Sequence, residues 1–213
     1  SIVALSKLAA NSFDLTDNYA LTGTVTGATS TQKLFLIKNL DASSSSTLSF
    51  VDGSDSVVLD NTYKTYLFRF INIHPQNDEK DLQVGFRDGG SDYDAVKTTS
   101  YFEAIHDEAD SSTSLGYQDN LDIAQGTGFQ TILRFIGDDN DQSASGEMFL
   151  FNPSSTTFVK HFIATGSSVT GGDYANNHFI GGYINTTTAI DGVQFKFNSG
   201  NIDSGRIALY GIK

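Results

Sequence analysis

Residues 64–74, KTYLFRFINIH, set the strongest constraint on the fold. Side chains alternate between the two faces of a strand. Tyr66, Phe68 and Phe70 therefore share one face, and Leu67, Ile71 and Ile73 share the other. Residues 147–165, EMFLFNPSSTTFVKHFIAT, repeat the theme. Met148 to Phe151 form an apolar run. Asn152, Pro153, Ser154 and Ser155 then stop it, because proline lacks a backbone donor and fixes φ, and Asn and Ser bond locally to the backbone. Residues 158–164 resume as a strand, with Phe158, Lys160 and Phe162 on one face and Val159, His161 and Ile163 on the other. A solvated hairpin alternates apolar and polar faces. Strands apolar on both faces are expected deep in a sheet or against another subunit.

The rest of the chain supplies more strands. Leu82, Val84 and Phe86 alternate with Gln83 and Gly85, and Val193, Phe195 and Phe197 alternate with Gln194 and Lys196. This period of two marks half-buried strands. Further strands are predicted at 33–38, 47–51, 56–59, 93–106, 130–136, 178–185, 190–198 and 206–212. Polar loops are predicted at 107–120, 137–145 and 166–177. About ten to twelve strands with few helices predict an all-β fold, an antiparallel β-sandwich of jelly-roll type. Alternating strand and helix segments are absent, which excludes a parallel α/β sheet, and no fixed-period repeat suggests a solenoid. The sandwich is assigned to residues 29–213 as one domain. Residues 1–28 carry Ile2, Val3, Leu5 and Leu8 without a core of their own. They are expected to form an extended N-terminal docking arm.

Charge narrows the function classes. Thirteen basic and 25 acidic residues give a net charge of −12. Binding nucleic acid requires clusters of Lys and Arg to neutralise phosphates, so no nucleic-acid partner is expected. No apolar run approaches the roughly 20 residues that span a bilayer, so no membrane insertion is expected. The start, SIVALSKLAANS, lacks the basic and apolar regions of a signal peptide. The chain has no cysteine, which excludes disulfides and thiolate metal sites.

Catalytic motifs are missing: no nucleophile elbow, phosphate loop or zinc-protease helix occurs. His74, His106, His161 and His178 have no i, i+4 partner and are read as ordinary sheet histidines. Asp138, Asp139, Asn140 and Asp141 offer oxygen ligands, as do Asp107, Glu108 and Asp110. Neither run has the alternate spacing, central glycine and closing glutamate of an EF-hand, and both are read as solvated loops. No enzyme activity, no cofactor and no metal site are therefore expected. Tyrosines in polar surroundings present contact area at low entropy cost. Of Tyr93, Tyr117 and Tyr174, the last two are the candidates for contact with a ligand or host surface.

Four blocks carry a resemblance: FINIHPQNDEKDLQVGF, EAIHDEADSSTSLGYQDNLDIAQGTGFQ, DDNDQSASGEMFLFNPSSTTFVKHFIA and VQFKFNSGNIDSGRIALYGIK. Over about residues 64–213 the chain resembles virion structural proteins of tailed bacteriophages, many of marine or cyanobacterial hosts. These motifs are structural and carry no catalytic residue. The resemblance implies a jelly-roll-like body serving as an oligomeric capsid decoration or surface appendage. The expected localisation is the virion surface, on capsid or tail. The expected partners are copies of itself, as a homotrimer covering the surplus apolar faces, and other virion proteins met through the arm. The alternative is a tail-fibre, receptor-binding or carbohydrate-binding protein touching a host glycan or protein.

Overall fold

A computed structural model describes residues 33–213; the arm expected at residues 1–28 lies outside them. The described residues form β1 (Leu34–Asp41), β2 (Leu48–Val51), β3 (Thr65–Pro75), β4 (Lys80–Arg87), β5 (Lys97–Asp107), β6 (Thr113–Tyr117), β7 (Gln130–Ile136), β8 (Ala144–Phe151), β9 (Lys160–Val169), β10 (Tyr174–Ile184), β11 (Gly192–Phe197) and β12 (Ile202–Ile212). All pair antiparallel. The larger sheet has the order β1-β12-β3-β8-β9-β10-β5-β6, and the smaller β2-β11-β4-β7. Among the described residues no helix is long and apolar enough to cross a membrane.

The two sheets meet over an aromatic core. Phe50 of β2 and Phe195 of β11 face Phe68 and Phe70 of β3, with ring centroids 5.3–5.4 Å apart in three of these pairs. Phe86 of β4 meets Phe162 of β9 at 5.0 Å. Each of these six rings is at most 2% exposed. Burying such a side chain is worth about 1.5–3 kcal/mol, and well-oriented ring pairs add about 0.5–1.5 kcal/mol.

Strand β3 departs from strict alternation. Tyr66, Phe68 and Phe70 point inward as expected. Asn72 then takes a left-handed φ of 49°, and the register with β8 slips between Phe70 and Ile73. This bulge turns Ile73 inward, so it parts from Ile71, which stays exposed. Leu67 does face outward, yet its cross-strand neighbours Phe149 and Tyr210 cover it to 3% exposure.

Strand β9 places Lys160 and Phe162 inside and His161 and Ile163 outside. Phe158 precedes the strand and is 70% exposed, so it does not share their face. The buried Lys160 amine donates to the carbonyls of Thr186 and Thr188. Lys97 does the same with Thr127 and Gly128, at 3.3 and 2.7 Å. Both amines close loops over one end of the sandwich.

Three further expectations are corrected. Residues 56–59 are not a strand: Asp55 and Ser56 adopt positive φ, although Val57 and Leu59 are still buried. The loop assigned to 107–120 contains β6. Asp107 accepts the Ser111 and Ser112 amides at 2.8 Å each and turns β5 back into an edge hairpin. The loop assigned to 166–177 is mostly strand. Its small residues let β8 and β9 come together at the cross-strand pair Gly146 and Gly166, where a Cβ on Gly146 would meet the Gly166 Cα at 2.7 Å.

Candidate functional site

The inner face of the larger sheet turns polar at β9, β10 and β5. Alternation there aims Ser168, Asn176, His178, Tyr101 and Glu103 toward the smaller sheet, and all five are buried. Arg134 of β7 reaches them from the opposite layer. Its guanidinium donates to Glu103 Oε1 at 3.0 Å, with the two side chains only 16% and 8% exposed. Asn176 Nδ2 donates to Glu103 Oε2 at 3.3 Å. A buried ion pair of this kind contributes little net stability but is costly to break.

His178 sits behind this pair. The Ser168 hydroxyl donates to the Arg134 carbonyl at 2.9 Å and lies 3.0 Å from His178 Nε2, which accepts the Arg134 amide at 3.4 Å. Nδ1 is hydrogen-bonded to the Tyr101 hydroxyl at 2.7 Å. Burial, helped by the nearby Arg134 charge, lowers the His178 pKa to about 3, so the imidazole is neutral. Burial, and then the Glu103 charge, raises the Tyr101 pKa. Serine, histidine and a carboxylate in sequence suggest nucleophilic activation. Here Ser168 is 2% exposed and its proton is already given to a backbone carbonyl. The chain of bonds ties β5, β7, β9 and β10 together.

A cavity of about 240 Å³ opens beside the cluster. Glu103 and Asn176 line its polar side, and Tyr174, Ile105 and Phe135 its apolar side. Phe135 is held there by a left-handed φ of 53°, an unusual conformation for a phenylalanine. Its amide donates to Asp81 Oδ1 at 3.0 Å, and the Arg134 guanidinium lies 3.9 Å from its ring centre. The Asn176 Oδ1 is buried without a partner. A buried acceptor left empty costs about 1–3 kcal/mol.

The second feature is the outer face of the larger sheet. Registered pairs place Leu36, Tyr210, Leu67, Phe149 and Ile163 in one row across five strands. A parallel row ends in Phe179, Phe102 and Tyr117. Phe102 and Phe179 stack at 5.0 Å with their planes 8° apart. Of the ten large hydrophobics exposed among the described residues, eight fall on this face by alternation; Phe135 and Phe158 do not. Leu115, at 75%, is the most exposed.

The two tyrosines singled out from the sequence are not brought together. Tyr117 pairs with Phe102 on the outer face, its hydroxyl donating to Asp122 at 2.6 Å. Tyr174 pairs with Asp107, at inward parity, and lines the cavity. The sequence reading missed Glu103, Arg134, Asn176 and Phe135. An acidic residue at the inward parity of YFEAIHD was the available signal for Glu103. No cluster of three or more His, Asp or Glu among the described residues is placed to hold a metal ion. The Asp107 carboxylate is occupied by Ser111 and Ser112, and the Ser111 hydroxyl bond, first among these, lowers its pKa. No family model, no curated protein and no solved structure matches this chain.

Proposed function

We propose that this chain is a non-enzymatic structural protein of a bacteriophage virion, an oligomeric decoration or surface appendage attached through residues 1–28. The observation that carries the reading is the outer face of the larger sheet, where Leu36, Ile163, Phe179, Phe102 and Leu115 meet solvent in one molecule. Exposed apolar patches of this extent mark interaction surfaces. Three copies arranged around an axis would cover them.

The strand order supports a jelly-roll assignment. Set aside the two hairpins β5–β6 and β9–β10. The remaining eight strands run first-eighth-third-sixth in one sheet and second-seventh-fourth-fifth in the other. A long antiparallel ribbon rolled on itself gives this order. The two hairpins extend one sheet, and they carry much of the exposed apolar face.

Light scattering of the full chain at micromolar concentration tests the oligomer. The expected mass is three times 23.0 kDa; a stable monomer overturns the reading. A second reading, contact with a host glycan or protein, is favoured by the cavity beside Tyr174 and its unpartnered Asn176 Oδ1.

A further inference from the structure

We propose that the cavity between β5, β7 and β10 binds one neutral, hydroxyl-rich ring, a single sugar residue of a glycan. The inference deepens the second reading above and does not depend on the virion assignment.

Shape and surface come first. About 240 Å³ is on the scale of one pyranose ring and little more. Tyr174, Phe135 and Ile105 form a mostly apolar wall. A pyranose ring presents an apolar C–H face and a rim of hydroxyls, so such a wall accommodates one side of it.

The polar side supplies the other half. Glu103 accepts one bond at each carboxylate oxygen, from Arg134 and from Asn176, and each oxygen has a further lone pair. Asn176 is 1% exposed and its Oδ1 has no partner. The amide cannot turn over to repair this, because Oδ1 would then face the Glu103 carboxylate. The Thr170 hydroxyl, at the cavity edge, accepts the Gly172 and Tyr174 amides at 3.2 Å each and retains its own proton to donate. The site therefore offers acceptors with donors beside them, the Thr170 hydroxyl among these, which suits neighbouring hydroxyls.

Charge selects against the obvious competitor, an ammonium head. A cation leaving water needs an unmatched anion. Glu103 is already matched by Arg134 at 3.0 Å. Glu79 lies exposed in the turn before β4, where its attraction is screened by water. Neutral hydroxyls lose less on entering, and they meet the same lone pairs.

The test uses the full chain and saturation-transfer NMR with the methyl glycosides of glucose, galactose, mannose, N-acetylglucosamine and rhamnose at about 10 mM, a range suited to weak single-ring binding. At least one glycoside is expected to receive saturation, strongest at its C–H protons. Tyr174→Ala is expected to weaken that binding about tenfold, and Tyr174→Phe to retain it. If Tyr174→Ala does not fold, Gly172→Leu replaces it. Gly172 is exposed in the turn lining the cavity, and a side chain there obstructs it. No transfer to any glycoside, transfer unchanged in the cavity variants, or transfer to n-butylamine in place of the sugars overturns the proposal. Loss of sugar binding with the oligomer intact, or the reverse, separates its failure from that of the assembly.

Discussion

An imidazole sealed between two sheets has nowhere to put a second proton. His178 has both ring nitrogens engaged and its folded pKa lowered to about 3. The unfolded chain takes up that proton near pH 6.5. Below that pH the unfolded state binds more protons than the folded one, so stability falls as pH drops from about 6.5 toward 3 and is fully present above it. Carboxylates titrate mostly below pH 5. Urea unfolding is therefore expected to lose about 2 kcal/mol between pH 7 and pH 5. His178→Gln is expected to be less stable at pH 7, since Tyr101 and Ser168 lose a partner, but to show a much flatter profile. An equally steep profile in the variant sinks this account. The sequence exposed His178 only as one histidine in a strand. What it becomes depends on Ser168 and Tyr101, ten and 77 positions away. The glycine-rich setting singled out Tyr174 as a candidate, but nothing in the sequence marked the unpartnered amide of Asn176 beside it, because an empty hydrogen-bond position is a property of packed neighbours.

At the scale of elements, the polar end of the sandwich is held by one ion pair across the layers. Arg134 belongs to the smaller sheet and Glu103 to the larger. Replacing Arg134 with Met leaves a carboxylate buried opposite an apolar chain. The expected cost is about 3–5 kcal/mol. Adding Glu103→Leu removes the stranded charge, and the double variant is expected to recover most of that loss. A double-mutant cycle on urea midpoints measures it; additive losses would show that the two side chains do not act as a pair. Strand existence was readable wherever apolar residues alternate, as at β4 and β11. It was unreadable where a strand contains small polar residues. The second half of β9 is Thr165 to Val169, and its Gly166 and Ser168 serve close approach and hydrogen bonding rather than apolar packing. Strand β6 was hidden for a related reason. As an edge strand with exposed side chains it needs no apolar face, and the hairpin that makes it is set by Asp107 bonding four and five residues ahead.

The whole molecule inherits a mismatch between its layers. Eight strands face four, and the larger sheet is apolar on both sides over much of its width. The inner side is covered by the smaller sheet and the loops joined to it. None of the described residues covers the outer side at Ile163, 49% exposed, or at the Phe102–Phe179 stack. If copies of the chain cover that side, unfolding releases separate chains, and the melting temperature must rise with protein concentration. For a trimer, a tenfold increase shifts the balance by about 0.9 kcal/mol per chain, or about 2–4 °C for a chain of this size. Calorimetry over a hundredfold concentration range reads this directly. Ile163→Asp combined with Phe179→Asp places two charges in the middle of the apolar rows without touching the core, and is expected to abolish the dependence while leaving a folded, lower-melting monomer. The exposed Phe158 serves as the control. It stands in the turn between β8 and β9, off that face, so Phe158→Asp should leave the concentration dependence in place. Melting temperatures independent of concentration in the unaltered chain would overturn the oligomer.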